Sequence, residues 1–192
     1  MDNTNGKSLE TEFSKETKPN EIFLYVCERI AEPLIKLEFK HRKSKKDIYK
    51  ADNNFAYKIW FQPSVKNGGS TKFIVHISVE SEKLMLWRKS KYDNPNANGT
   101  IITTTLANLT KRQQTLDWYD VSSSFERTRV ISEISEQVNN FALPFFKRFE
   151  DIDLLINEIG EQGFLPHRFK KSIAYLEQHI VDFVECFRTT PP

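Results

Sequence analysis

The chain has 192 residues, 15 of them phenylalanine, an apolar share of 39% and a formal net charge of +2. That length suffices for one domain with a real core, and so small a charge exerts no global pull toward nucleic acid. No apolar run approaches the ~20 residues a membrane-spanning helix requires, and residues 1–20 lack the apolar stretch of a signal peptide, so the expected compartment is the cytoplasm.

Residues 1–19 show no periodic apolar face and read as a flexible leader. Residues 20–188 are expected to form one domain, with its core over 22–150 and a helical extension over 151–188. Asn20 stands where it can cap a first helix, along which Ile22, Val26, Ile30, Leu34 and Leu37 recur at helical spacing. Pro33 should kink that helix or start a second short one, and Phe39 closes the segment. The basic run Lys40-His-Arg-Lys-Ser-Lys-Lys46 follows. It reads either as a solvated loop and edge strand guarded by lysines, or as a phosphate or acidic-partner patch through Lys40, Arg42, Lys43, Lys45 and Lys46.

Two alternating segments come next. Phe55, Tyr57, Ile59 and Phe61 alternate with Ala56, Lys58, Trp60 and Gln62; Phe73, Val75, Ile77 and Val79 alternate with Lys72, Ile74, His76 and Ser78. Period two places each apolar set on one face, and Asn67-Gly68-Gly69 between the segments predicts a hairpin. Residues 82–89 either continue the strand or turn into a loop; Tyr92 to Gly99 is a break, and Thr100 to Leu106 is β-branched and reads as a strand. Gln114 to Val121 is a last strand or an extended approach to the next helix. Ser124 is placed to cap a long helix with the stripe Val130, Ile131, Ile134, Val138, Phe141, Ala142 and Phe145, which Pro144 should kink or end. Asp151 and Asp153 favour the start of a short helix over Leu154 to Ile159 that stops near Gly160 and Gly163, and a final helix spans about Lys171 to Phe187. A helix, consecutive strands and then helices predict an α+β fold: an antiparallel sheet of four to five strands with helices packed on one face.

Particular residues carry a resemblance. The stretch Ile30-Ala-Glu-Pro-Leu-Ile-Lys-Leu-Glu-Phe-Lys40, the aromatic strand at Ile48-Tyr49, the segment Ile59-Trp-Phe-Gln-Pro-Ser64, the strand Phe73 to Val79, the region Leu106 to Leu109 and Trp118 ahead of the long helix are arranged as in one known family. Over about residues 22–150 the chain resembles a bacterial family called domain of unknown function 4304. Its members usually have Gly before the Phe that ends the first helix, where this chain has Glu38. The resemblance implies an α+β domain and brings no catalytic residue with it.

Groups able to do chemistry are scattered. His41, His76, His167 and His179 lie in different elements and form no metal-binding spacing, so neither a metal nor another cofactor is expected. Cys27 and Cys186, far apart in helical patterns, read as reduced, packed thiols. Asp117 and Asp120 flank Trp118-Tyr119, but paired carboxylates act only at a defined separation. Enzyme chemistry therefore lacks a constellation. The reading ranked first is a non-enzymatic module that binds another protein, using Trp60, Gln62, His76 and Trp118. Weak nucleic-acid binding through the basic run ranks second, and an enzyme pocket near His76 third.

Overall fold

Proline at the first turn of a helix holds the required φ and lacks an N–H that would have no partner there. Helix α1 (Pro19–Ile35) accordingly starts at Pro19 with Lys18 in the capping position, two residues earlier than a cap at Asn20 would give. The computed structural model describes residues 13, 14, 16–64, 71–110, 118–162 and 173–188. Residues 1–12 of the leader, the turn at Asn67-Gly68-Gly69, the start of the Gln114–Val121 segment with Asp117, and Gly163, His167 and Lys171 lie outside the described residues. Pro33 is carried inside α1, which runs on to Ile35 and does not restart. Beyond it Glu38 adopts a left-handed φ of 68°, which lets the Phe39 N–H reach back to the Leu34 carbonyl at 3.2 Å. Phe39 is thereby turned into the core.

Five antiparallel strands follow in meander order: β1 (Lys40–Arg42), β2 (Asp47–Ala51), β3 (Ala56–Pro63), β4 (Lys72–Glu80) and β5 (Thr100–Thr105). A sixth, β6 (Tyr119–Asp120), pairs with the start of β4. The fold is the expected α+β arrangement; the strands beyond four are short pieces such as three-residue β1 and two-residue β6, too brief to show a period. Register aligns Ile48, Ile59 and Ile77 across β2, β3 and β4, and all three are fully buried. Phe61, Phe73 and Val75 extend the same apolar face.

The segment after β4 is a helix, not strand or loop. In α2 (Glu82–Tyr92) the Ser81 hydroxyl accepts the Leu84 N–H at 3.3 Å, and Asp93 closes the end in the left-handed region. Only Leu84 and Arg88 of this helix are buried, so no apolar stripe announces it. Leu106, expected at the end of a strand, instead opens the short helix α3 (Leu106–Leu109).

Helix α4 (Ser124–Gln137) is capped by Ser123, one residue before the expected cap, through a hydrogen bond to the Glu126 N–H. It passes through one wide π-turn (Val138–Ala142) into α5 (Leu143–Lys147). There the Leu143 N–H bonds the Val138 carbonyl five residues back. Pro144 has no N–H to give, and the wide turn ahead of it accommodates that gap without ending the helix. The extra residue also rotates the stripe: Phe141, expected inside, is exposed, while Ala142, Phe145, Phe146 and Phe149 are buried. Asp151 then accepts the Leu154 N–H at 2.9 Å to start α6 (Ile152–Gln162), which runs past Gly160.

Helices α1, α5 and α7 (Ile173–Arg188) deliver rings to the apolar face. Phe23 meets Phe73 edge-on at 5.7 Å, Phe146 meets Tyr57 at 5.1 Å, and Phe187 stacks on Phe55 at 5.5 Å. Among the described residues no helix is long and apolar enough to cross a membrane.

Candidate binding face of the sheet

Because register fixes which side chains are neighbours, the face opposite the core can be read strand by strand. One row runs Arg42, Asp47, Trp60, His76, Thr105 across all five meander strands; the next runs Lys40, Tyr49, Lys58, Ser78, Thr103. In the first row the Trp60 and His76 rings stack with centroids 3.8 Å apart and planes within 8°. The Gln62 Oε1 lies 2.8 Å from His76 Nε2 and so fixes the imidazole edge. At one end Arg42 grips Asp47 with two parallel hydrogen bonds of 2.7 and 2.5 Å, and its guanidinium lies 4.0 Å from the Tyr49 ring centroid. That hydrogen bond to Asp47 raises the Arg42 pKa above its ordinary value. Lys58 and Glu80 pair across the next rows.

Trp60, Gln62 and His76 thus come together. Trp118, just ahead of β6, is exposed, and its ring does not join the Trp60–His76 stack. The side chains of the basic run are engaged in different ways. Arg42 is held by Asp47, Lys43 bonds Glu28 at 2.8 Å, and Lys46 sits with its ammonium 5.7 Å from the Phe23 ring. Lys40 and Lys45 remain exposed. A cavity of about 370 Å³ beside β1 is lined by Lys40, His41 and Lys43 but also by Glu28 and Glu32, which makes it poorly suited to phosphate. Burial pushes the His41 pKa down. Asp120, the described member of the carboxylate pair, faces Lys72 at 3.4 Å and accepts from the Ser122 hydroxyl. No group of three or more His, Cys, Asp and Glu side chains among the described residues is placed to hold a metal ion.

The family described as Domain of unknown function (DUF4304) matches residues 30–148, from the middle of α1 to the end of α5. The chain belongs to this family. No curated protein and no solved structure matches it. The resemblance read over about 22–150 thus covers the whole of the matched stretch and runs past both its ends.

Helix α7 lies outside that match, yet it completes the core of this DUF4304 domain, with Phe183 fully buried. It is held by a polar seam that sequence reasoning missed. Arg88 of α2 donates to Asp182 of α7 at 2.7 Å and to the Thr100 and Asn98 carbonyls at 2.8 and 3.1 Å. Tyr92 donates to the other Asp182 oxygen at 2.6 Å, Gln178 bonds the same oxygen at 2.9 Å, and His179 Nδ1 donates to the Thr100 carbonyl at 3.0 Å. Gly99 brings the loop close enough for its carbonyl to accept the Ser81 N–H at 2.8 Å; a Cβ there would stand 2.1 Å from the Ser81 oxygen. The one available signal was the cap at Ser81, which marks α2 as a helix; nothing local couples position 88 to position 182.

Proposed function

We propose that this DUF4304 domain is a protein-binding module that docks its partner on the second sheet face, around Trp60 and His76. The observation behind this reading is the stacked, half-buried pair with Gln62 exposed beside it. A large flat ring framed by polar groups is the pattern of an interface anchor. The flanking Arg42–Asp47 and Lys58–Glu80 pairs are already assembled, so a partner meets an ordered surface and loses less side-chain freedom on docking. The partner chemistry this suits is an apolar or aromatic side chain laid against the Trp60 edge, with a hydrogen-bonding group reaching Gln62.

Nucleic-acid binding has less behind it, since Arg42 and Lys43 already have carboxylate partners. An enzyme pocket at His76 needs an acid within reach; Asp47, in the same row, is separated from it by Trp60 and held by Arg42. A photocrosslinking residue in place of Gln62, used in the native host, tests the proposal, with the same residue in place of Glu32 on α1 as control. The expected result is one discrete protein adduct from position 62 that Trp60→Ala removes and position 32 does not give. Adducts to nucleic acid, with purified-protein binding that falls steeply with salt, would replace the protein reading with the basic-run reading.

A further inference from the structure

Arg127, in the first turn of α4, is only 5% exposed, and its Nη1 has no hydrogen-bond partner. Among the described acids, Glu126 and Glu133 pair with Arg129, and Asp120 pairs with Lys72. Among the described residues, the contact that compensates the buried cation is a ring. Phe13 places its face 4.7 Å from the guanidinium carbon, and Phe13 is itself held edge-on by Tyr25 of α1 at 5.2 Å. Behind it the Thr17 N–H donates to the Ser14 carbonyl at 3.0 Å.

A ring over a guanidinium satisfies the flat face of the cation and gives nothing to the N–H donors in its plane, of which Nη1 is buried without a partner here. A buried charge left in that state is destabilising, so its retention calls for a ligand. We propose that Arg127 is the anion-binding residue of a closed site between α1 and α4, with Phe13 as its cap. The ligand it suits is a small oxyanion, phosphate or carboxylate, whose paired oxygens match the unused in-plane N–H groups. Entry requires Phe13 to swing off. The capped state therefore lowers the apparent affinity by the fraction of time the site is open.

Titration calorimetry with inorganic phosphate, and separately with acetate, tests this on the full chain, on Phe13→Ala and on Phe13→Ala/Arg127→Met. Phe13→Ala is expected to bind one of the two anions about tenfold or more tightly than the unaltered chain, because the cap no longer competes. Arg127→Met in the same background is expected to abolish that binding. Which anion responds distinguishes phosphate from carboxylate. That anion should also raise the melting temperature of Phe13→Ala and leave the double variant unchanged. If Phe13→Ala fails to fold, Phe13→Leu, which keeps apolar bulk and loses the π face, carries the same expectation. Anion binding no tighter than in the unaltered chain, or equal binding by the double variant, overturns the proposal.

Discussion

The Arg88–Asp182 seam and the Trp60–His76 face use the same kinds of group: a cation, a carboxylate, aromatic rings and an imidazole. In the seam, side-chain exposure is 7% for Arg88 and 5% for Asp182, and apart from the buried Arg88 Nη2, which has no partner, the groups answer one another across two helices and the start of β5. On the sheet face Asp47 is nearly as buried, at 8%, but its partner Arg42 keeps 27% of its exposure, and Trp60 and His76 are half-buried. Burial, not residue type, separates the two roles. Closed off from water, the set is a fastening for α7; left at the surface, it is a platform something else can meet.

The sharpest way to break that distinction is to remove one partner from each cluster. Arg88→Met leaves the Asp182 carboxylate buried without its cation and is expected to lower stability by about 3–5 kcal/mol in chemical denaturation. Trp60→Ala forfeits a stack at the surface, on the order of 1 kcal/mol, while abolishing the crosslink described above. Equal losses at both sites would mean that the sheet face is as structural as the seam.

Acid should loosen the seam more than the face. Burial, and then the Arg88 charge, push the His179 pKa below its ordinary 6.5. Its contribution is therefore present above about pH 6.5 and is lost as pH falls through the depressed folded value, because the unfolded chain takes up the proton first. For Asp182, burial alone would raise the pKa, but hydrogen bonds from Tyr92, Gln178 and Arg88 outweigh it and hold the value below the ordinary 3.8. That contribution is present above 3.8 and disappears as pH falls through the folded pKa. The free energy of opening of α7, taken from hydrogen exchange after division by the intrinsic exchange rate at each pH, should consequently fall in two stages on acidification. His179→Gln removes the first stage and Asp182→Asn the second. A rise in that opening free energy between about pH 7 and pH 5 would contradict this sign.

How much of this was readable in advance follows from how local each cause is. Period two in β3 and β4 fixes both faces of the hairpin, so the neighbourhood of Trp60, Gln62 and His76 follows from the chain itself. The stripe of α4 is equally local up to Val138; the single π-turn then adds one residue and shifts Phe141 outward. Helix α2 was hidden because it buries two residues, one of them an arginine. The partner of that arginine is 94 positions away, and a pairing at that separation leaves no periodic trace.

The smallest expected effect concerns the turn between α1 and β1, where glycine would suit the backbone better than Glu38 does. Glu38 holds a φ of 68°, in the left-handed region, where a side chain crowds the backbone and glycine does not. The turn is still made, because the Phe39 N–H caps the Leu34 carbonyl and Phe39 is buried beyond it. Glu38 gives little in return. Its carboxylate lies 3.2 Å from Lys50 but is 85% exposed, and an ion pair so open to solvent contributes next to nothing. Glu38→Gly therefore relieves strain at slight loss, against the greater freedom glycine has when unfolded. The expected balance is a stabilisation of about 0.5–1 kcal/mol, measured as a rise in the denaturation midpoint at unchanged slope. Glu38→Ala, which drops the ion pair and keeps the Cβ, should show no such gain. If alanine stabilised as much as glycine, the carboxylate and not the backbone would be the source of the strain.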